Sequence, residues 1–185
     1  MESIKQRLDA LRERIQDPDL LAGRGVSNEV NIRLFCYDPK DEMVVQEFER
    51  QIMADPTLDC RLIVRDLYDV FLSLCEELDI LDSIPEMEKS EGSAFLLEQL
   101  RAAVAPADFV PKLQYGEYRS GDILMLTGVG DVFPFLRVHS LLEAMQPYFA
   151  RVPILVMYPG HYDHYQTKLF NRLKPNNYYR AFSLI

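Results

Sequence analysis

The apolar positions along this chain change period several times, and each change marks an element. Over residues 2–22, Ile4, Leu8, Leu11 and Ile15 recur at spacings of four and three, which predicts an amphipathic helix that Pro18 breaks or kinks. After the turn-rich GRGVSNEVN comes NIRLFCYDP (Asn31 to Pro39), a β-type run closed by Asp-Pro. Met43, Val44, Phe48 and Ile52 return to helical spacing, and Asp38 is placed to cap that helix. CRLIVRDL reads as a second strand and YDVFLSLCEELDILDSI as another helix. EMEKSEGS reads as a polar break, SAFLLEQLRAAVA as a short helix ended before Pro106, and the stretch holding Pro111 and Gly116 as a loop.

Farther on, Ile123 to Leu126 are continuously apolar, as a central strand covered on both faces requires. FPFLRVHSLLEAMQPYF is expected as a helix with Pro134 near its first turn, where proline is tolerated. VPILVMYPG is a wholly apolar strand, HYDHYQTKLFNRL a short helix and YYRAFSLI a final strand. The strands therefore fall near 31–37, 60–65, 122–127, 153–158 and 179–184. Strand-helix alternation with fully apolar inner strands predicts a three-layer α/β/α fold. Its sheet is expected to be mostly parallel and five-stranded, in a single domain over 1–185 with residues 1–25 as an N-terminal helical appendage.

Composition narrows the class. A chain of 185 residues, 48% hydrophobic and 26% charged, suits one folded core. No apolar run approaches the roughly 20 residues of a membrane-spanning helix, and the charged N-terminal segment lacks the basic start and apolar middle of a signal peptide. Cys36, Cys60 and Cys75 show no CxxC spacing and read as reduced thiols of a cytoplasmic protein. The net charge of −9 is unevenly spread: from Pro134 onward six basic and two acidic residues give +4, leaving −13 on residues 1–133. The acidic total argues against non-specific nucleic-acid binding. The basic last third suggests an anionic partner surface or a self-complementary homodimer, and is equally consistent with internal pairing of the two halves.

Ligands of parallel α/β sheets bind outside the carboxyl ends of the strands. TGVGD (Thr127 to Asp131) lies there, but it lacks the lysine and hydroxyl of a Walker loop, and Phe133 stands where the third glycine of a dinucleotide fingerprint belongs. A tight turn is the better reading. His161 and His164 are spaced i,i+3 on the expected helix with Asp163 between them, yet only His139 could add a third imidazole, short of a metal set. Ser140 adjoins His139, but neighbours on a helix do not face each other, and no GxSxG elbow occurs. Asp38, Asp66 and Asp131 end strands and could converge on magnesium, although helix capping explains them better. These residues imply no catalytic set, no cofactor and no metal. Arg137 lies near a helix start; Arg180, inside a strand, has to find a carboxylate or leave at an edge, and a buried ion pair and a binding role are both open for these arginines.

Taken in order, LTGVGDVFPFLRVHSLLEAM, VPILVMYPGHYD and LFNRLKPNNYYRAFSLI resemble the BrxB family, the small conserved component of bacteriophage-exclusion (BREX) defence loci in bacteria. The match is strongest from Asp122 to Ile185 and extends weakly through VNIRLFCYDP and RDLYDVFLSL. The family pattern includes Tyr158, Pro159, Gly160, Tyr162, Leu169, Phe170 and Asn177 to Phe182, whereas His161 and His164 fall at positions it does not fix. What the resemblance implies is a non-catalytic scaffold or adaptor in an anti-phage complex that also holds a DNA methyltransferase, an alkaline-phosphatase-like protein and a large ATPase. The phosphatase-like component is the first expected partner, then the methyltransferase or ATPase. Aromatic and arginine side chains are enriched at interfaces, so Arg137, Tyr158, Tyr162, Tyr165, Arg172, Tyr178, Tyr179 and Arg180 are candidate partner-binding residues. A degenerate nucleotide-binding domain and a DNA-contacting accessory subunit are the alternatives.

Overall fold

The computed structural model describes residues 2–22, 31–163, 166–174, 176–177 and 181–184. Its centre is a parallel sheet of five strands: β1 (Ile32–Tyr37), β2 (Arg61–Asp66), β3 (Asp122–Thr127), β4 (Ile154–Tyr162) and β7 (Ala181–Ser183). Their order is β2-β3-β4-β1-β7, and each neighbouring pair runs parallel. The register aligns Ile32 with Ile154 and Ala181, and Leu124 with Ile154. This is the expected α/β sheet, with the five strands close to their expected positions.

Alternation along the strands divides the core in two. Leu34, Leu124, Leu126, Ile154 and Val156 point to one face, packed beneath α4 (Leu67–Glu77), α6 (Ser93–Ala103), α7 (Pro106–Leu113) and α8 (Val138–Met145). Phe35, Ile123, Met125, Leu155 and Met157 point to the other, beneath α1 (Ile4–Arg14), α2 (Pro18–Leu21) and α3 (Glu42–Met53). Helices on both faces explain why the inner strands lack polar alternation. The N-terminal helix packs on this second face: Leu8, Leu11, Ile15 and Leu20 are buried there, and the Arg7 guanidinium donates to the Cys36 carbonyl at 2.6 Å. A Ser3–Gln6 capping box starts α1.

At the amino-terminal ends of β2 and β3, Arg61 forks onto the Asp122 carboxylate, with Nε to Oδ1 and Nη2 to Oδ2 both at 2.6 Å. Asp122 is almost fully buried. The guanidinium holds its carboxyl below the usual range against the opposing effect of burial, as a two-pronged charged hydrogen bond should.

Several expected elements differ. Of the charge-dense EMEKSEGS, Glu86 to Glu91 belong to α5 (Ile84–Glu91), with Pro85 in its first turn, where the missing N–H costs no hydrogen bond, and the break falls at Gly92 alone. The stretch expected as a loop around Pro111 contains α7, which keeps its helix because Phe109, Val110 and Leu113 are buried against the core. The helix expected from Phe133 begins only at Val138. Before it, the Phe133–Pro134 peptide is cis, and Arg101 donates to the Pro134 carbonyl from Nε at 2.9 Å and Nη2 at 2.7 Å, taking the acceptor that a helical turn would use. Phe135 stacks on Phe71 at 4.5 Å, while Phe133 meets the edge of Phe170.

The largest correction is at HYDHYQTKLFNRL, expected as a helix. β4 continues through His161 to Tyr162 and turns back as β5 (Gln166–Leu169), which pairs antiparallel with it and with β6 (Asn176–Asn177). Two local features favour the hairpin. Asp163 Oδ1 accepts the Gln166 amide at 2.7 Å across the turn. Gly160, opposite Leu169, has no side chain, so the Lys168 carbonyl lies where a β-carbon would stand. His161 therefore sits on a strand opposite Lys168, and His164 lies outside the described residues.

Candidate functional site at the carboxyl rim of the sheet

The carboxyl ends of β1, β2, β3 and β4 form one rim, where a parallel α/β protein keeps its ligand. The turn after β3 is shaped by Gly128, whose φ of +67° lies in the left-handed region that glycine enters without penalty. The Asp66 carboxylate fills the space beside it: a β-carbon on Gly128 would stand 2.5 Å from Oδ1. Asp66 accepts the Tyr68 amide at 2.9 Å and the Asp69 amide at 3.1 Å, capping α4, and also the Thr127 hydroxyl at 3.0 Å. TGVG is thus a tight turn closed from below by a side chain, with Val129 and Val132 buried in the core.

Of the three carboxylates expected to end strands, Asp66 is a helix cap, and Asp38 caps the turn beginning at Pro39 by accepting the Lys40 amide at 3.1 Å. The Lys40 amide and ammonium hold the Asp38 carboxyl below its usual value. Asp131 stands exposed in the turn after β3. Two further carboxylates share this rim. Glu49 on α3 is pushed up to about 8 by burial first, then by Glu42, Asp66 and Asp131. Glu42 accepts the Tyr37 hydroxyl at 2.9 Å; burial, then Glu42, raises that phenol far above its ordinary value. Glu49 carried a signal in the sequence, because it falls four residues after Val45 and three before Ile52, both buried on α3. Among the described residues, no three His, Cys, Asp or Glu side chains are grouped to hold a metal ion.

The candidate docking residues divide among several places. Arg137 is the N-cap residue of α8 and is exposed; Arg172 is exposed in the turn after β5. Tyr162 is half-buried against the α4–α8 core face. Tyr158 is buried, 3% exposed, with its phenol pushed up to about 12 by burial against an opposing hydrogen bond from Thr167. Arg137 and Tyr158 line one cavity between the α8 start and the hairpin. Thr167 and Lys174 line it too; Thr167 fell in the segment expected as a helix, and Lys174 was one of the six basic residues of the last third. Tyr165, Tyr178, Tyr179 and Arg180 lie outside the described residues.

Comparison with known proteins decides what this rim belongs to. The family profile described as "BREX protein BrxB" matches residues 63–184, from within β2 through α4 to α8 and the chain after β3. A BREX protein BrxB of Bacillus cereus (strain H3081.97) is 36% identical over 192 aligned positions, covering 100% of this chain and 99% of the relative. The chain belongs to the BrxB family. A second BrxB, from Escherichia coli O9:H4 (strain HS), is 26% identical over 185 positions, covering 98% of this chain and 92% of its own length. No solved structure matches the chain. As a BrxB protein it is a component of a BREX phage-exclusion system. Among its described residues no helix is long and apolar enough to cross a membrane.

Proposed function

We propose that this BrxB protein is a non-catalytic adaptor of its BREX complex, using the rim around the β4–β5 hairpin to hold other BREX proteins. The phosphatase-like component is the first partner, then the methyltransferase or the ATPase. The observation that carries the reading is the closure of the turn after β3. Asp66 plugs the space beside Gly128, so a phosphate approaching this turn would meet a carboxylate. A carboxylate already bound to two amides and a hydroxyl is also spent as a base. Arg137 and Arg172 are exposed and Tyr162 is half-buried, a composition that suits the edge and centre of a protein interface. The acidic body, with its net −9, disfavours DNA as the direct partner.

The test is capture of tagged protein from cells expressing the neighbouring BREX proteins. The phosphatase-like component should co-purify stoichiometrically, and Arg172→Glu should weaken that capture while leaving the thermal midpoint unchanged. A chain that elutes as a lone monomer from such cells sinks the adaptor reading.

A further inference from the structure

Between the start of α8 and the β4–β5 hairpin lies a cavity of about 190 Å³. Arg137, His139 and Lys174 line it, with no carboxylate in its wall among the described residues. Arg137 and Lys174 have no ion-pair partner among the described residues, although acidic groups outnumber basic ones along the whole chain. Tyr158 and Thr167, 3% and 5% exposed, share a hydrogen bond at the same wall. The remaining surface is apolar, from Phe133, Val138, Leu169 and Leu173.

Such a lining has one chemical sense. Two cations face the same small space, and on a chain this acidic, gathering them without a counter-carboxylate costs energy unless an anion joins them. A buried hydroxyl pair beside them adds directional hydrogen-bonding capacity that a purely electrostatic surface patch lacks. Burial lowers the His139 pKa, so near neutral pH its ring is an uncharged hydrogen-bonding group. The apolar side offers room for a small organic body. The volume is below the roughly 300–1,000 Å³ of drug-sized sites, so the occupant has few heavy atoms. A duplex phosphodiester is excluded by the enclosure and by the acidic body.

We propose that this cavity is a binding site for a small phosphate monoester, its dianionic head on Arg137 and Lys174 and its carbon body against Phe133 and Leu169. Tyr158 and Thr167 position the head, and the β4–β5 hairpin forms the far wall. The site goes beyond the adaptor reading, since it can fill whether or not a protein covers the rim.

Thermal unfolding and calorimetric titration of the purified full chain test it, using phenyl phosphate and inorganic phosphate at constant ionic strength, with benzoate as the carboxylate comparison. Phenyl phosphate should stabilise saturably at low millimolar concentration, inorganic phosphate more weakly, and benzoate least. Arg137→Gln and Lys174→Gln, both at exposed positions, should each weaken phenyl phosphate binding about tenfold, the loss typical of one charged hydrogen-bond partner, without lowering the unliganded midpoint. The site is wrong if phenyl phosphate at about 10 mM gives no saturable shift, where a millimolar ligand must register. Phenyl phosphate binding in both variants equal to that of the unsubstituted chain, or a preference for benzoate, also overturns it. Capture of BREX partners by the same two variants is scored separately, so failure of this site and failure of the adaptor reading are distinguishable.

Discussion

The Asp66 carboxylate occupies the space that a side chain on Gly128 would need, with its oxygens 2.5 and 2.6 Å from the position of that missing β-carbon. The end of β2 and the turn after β3 are therefore built as one unit. Gly128→Ala meets both this contact and a left-handed φ, and should destabilise the fold by about 2–4 kcal/mol. Asp66→Ala removes a helix cap and should cost about 1–2 kcal/mol. The double variant gives the added methyl room, so the two losses should sum to less than their separate values. Urea unfolding of all four proteins measures the coupling, and strict additivity would break the link.

Gly160 faces a comparable demand from its partner strand. A β-carbon there meets the Lys168 carbonyl, the Tyr158 ring at 2.8 Å and the Leu169 α-carbon at 3.1 Å. Gly160→Ala should cost about 2–4 kcal/mol and should open the hairpin locally. Hydrogen exchange at the Phe170 amide, bonded to the Pro159 carbonyl at 2.8 Å, is the local readout. Unchanged protection there in the variant would contradict this account of the hairpin.

The strands were legible in the residues because a parallel sheet covered on both faces needs runs such as ILML and ILVM, which little else in a soluble chain requires. The hairpin was not. His161, His164 and Lys168 fit helical spacing, and the Gly160 contact that overrides that spacing is with a carbonyl eight residues away. α5 and α7 were hidden for a related reason: charge and proline suggested breaks, whereas tertiary burial of Phe109 and Leu113 holds α7 in place. At the rim, the turn after β3 and the capping by Asp38 and Asp66 were readable locally. The closing of that turn by Asp66 was not, because it joins residues 62 positions apart in sequence that only strand pairing brings together.

Glu49 makes stability depend on pH in a definite direction. Its folded-state pKa, about 8, lies above the ordinary carboxyl value. Below that ordinary value both states hold the proton and no penalty exists. As pH rises toward 8 the unfolded chain ionises freely while the folded one resists, so stability falls across that window. Glu49→Gln should remove the loss, stabilising by about 1–3 kcal/mol at pH 8 and little at pH 4. Thermal midpoints across pH 4–9 check the slope; a gain that is the same at both ends would be evidence against a raised Glu49.

Burial raises the Cys36 thiol to about 12, against the lowering influence of Arg7, and burial raises Cys60 and Cys75 as well. The nucleophile is the thiolate, so all three should react slowly with a disulfide reagent at pH 8 in the native protein and promptly in denaturant. Rapid native modification of Cys36 would contradict its raised thiol pKa.

β7 lies outside β1, although most of the chain separates them. During synthesis, the outer edge of β1 therefore waits for residues 181–183 to emerge from the ribosome, with its amides and carbonyls unpaired. An open strand edge is a template for pairing with another chain. Nascent or truncated chains lacking Ala181–Ser183 should accordingly self-associate through β1, which makes the last strand a safeguard against aggregation as well as part of the sheet.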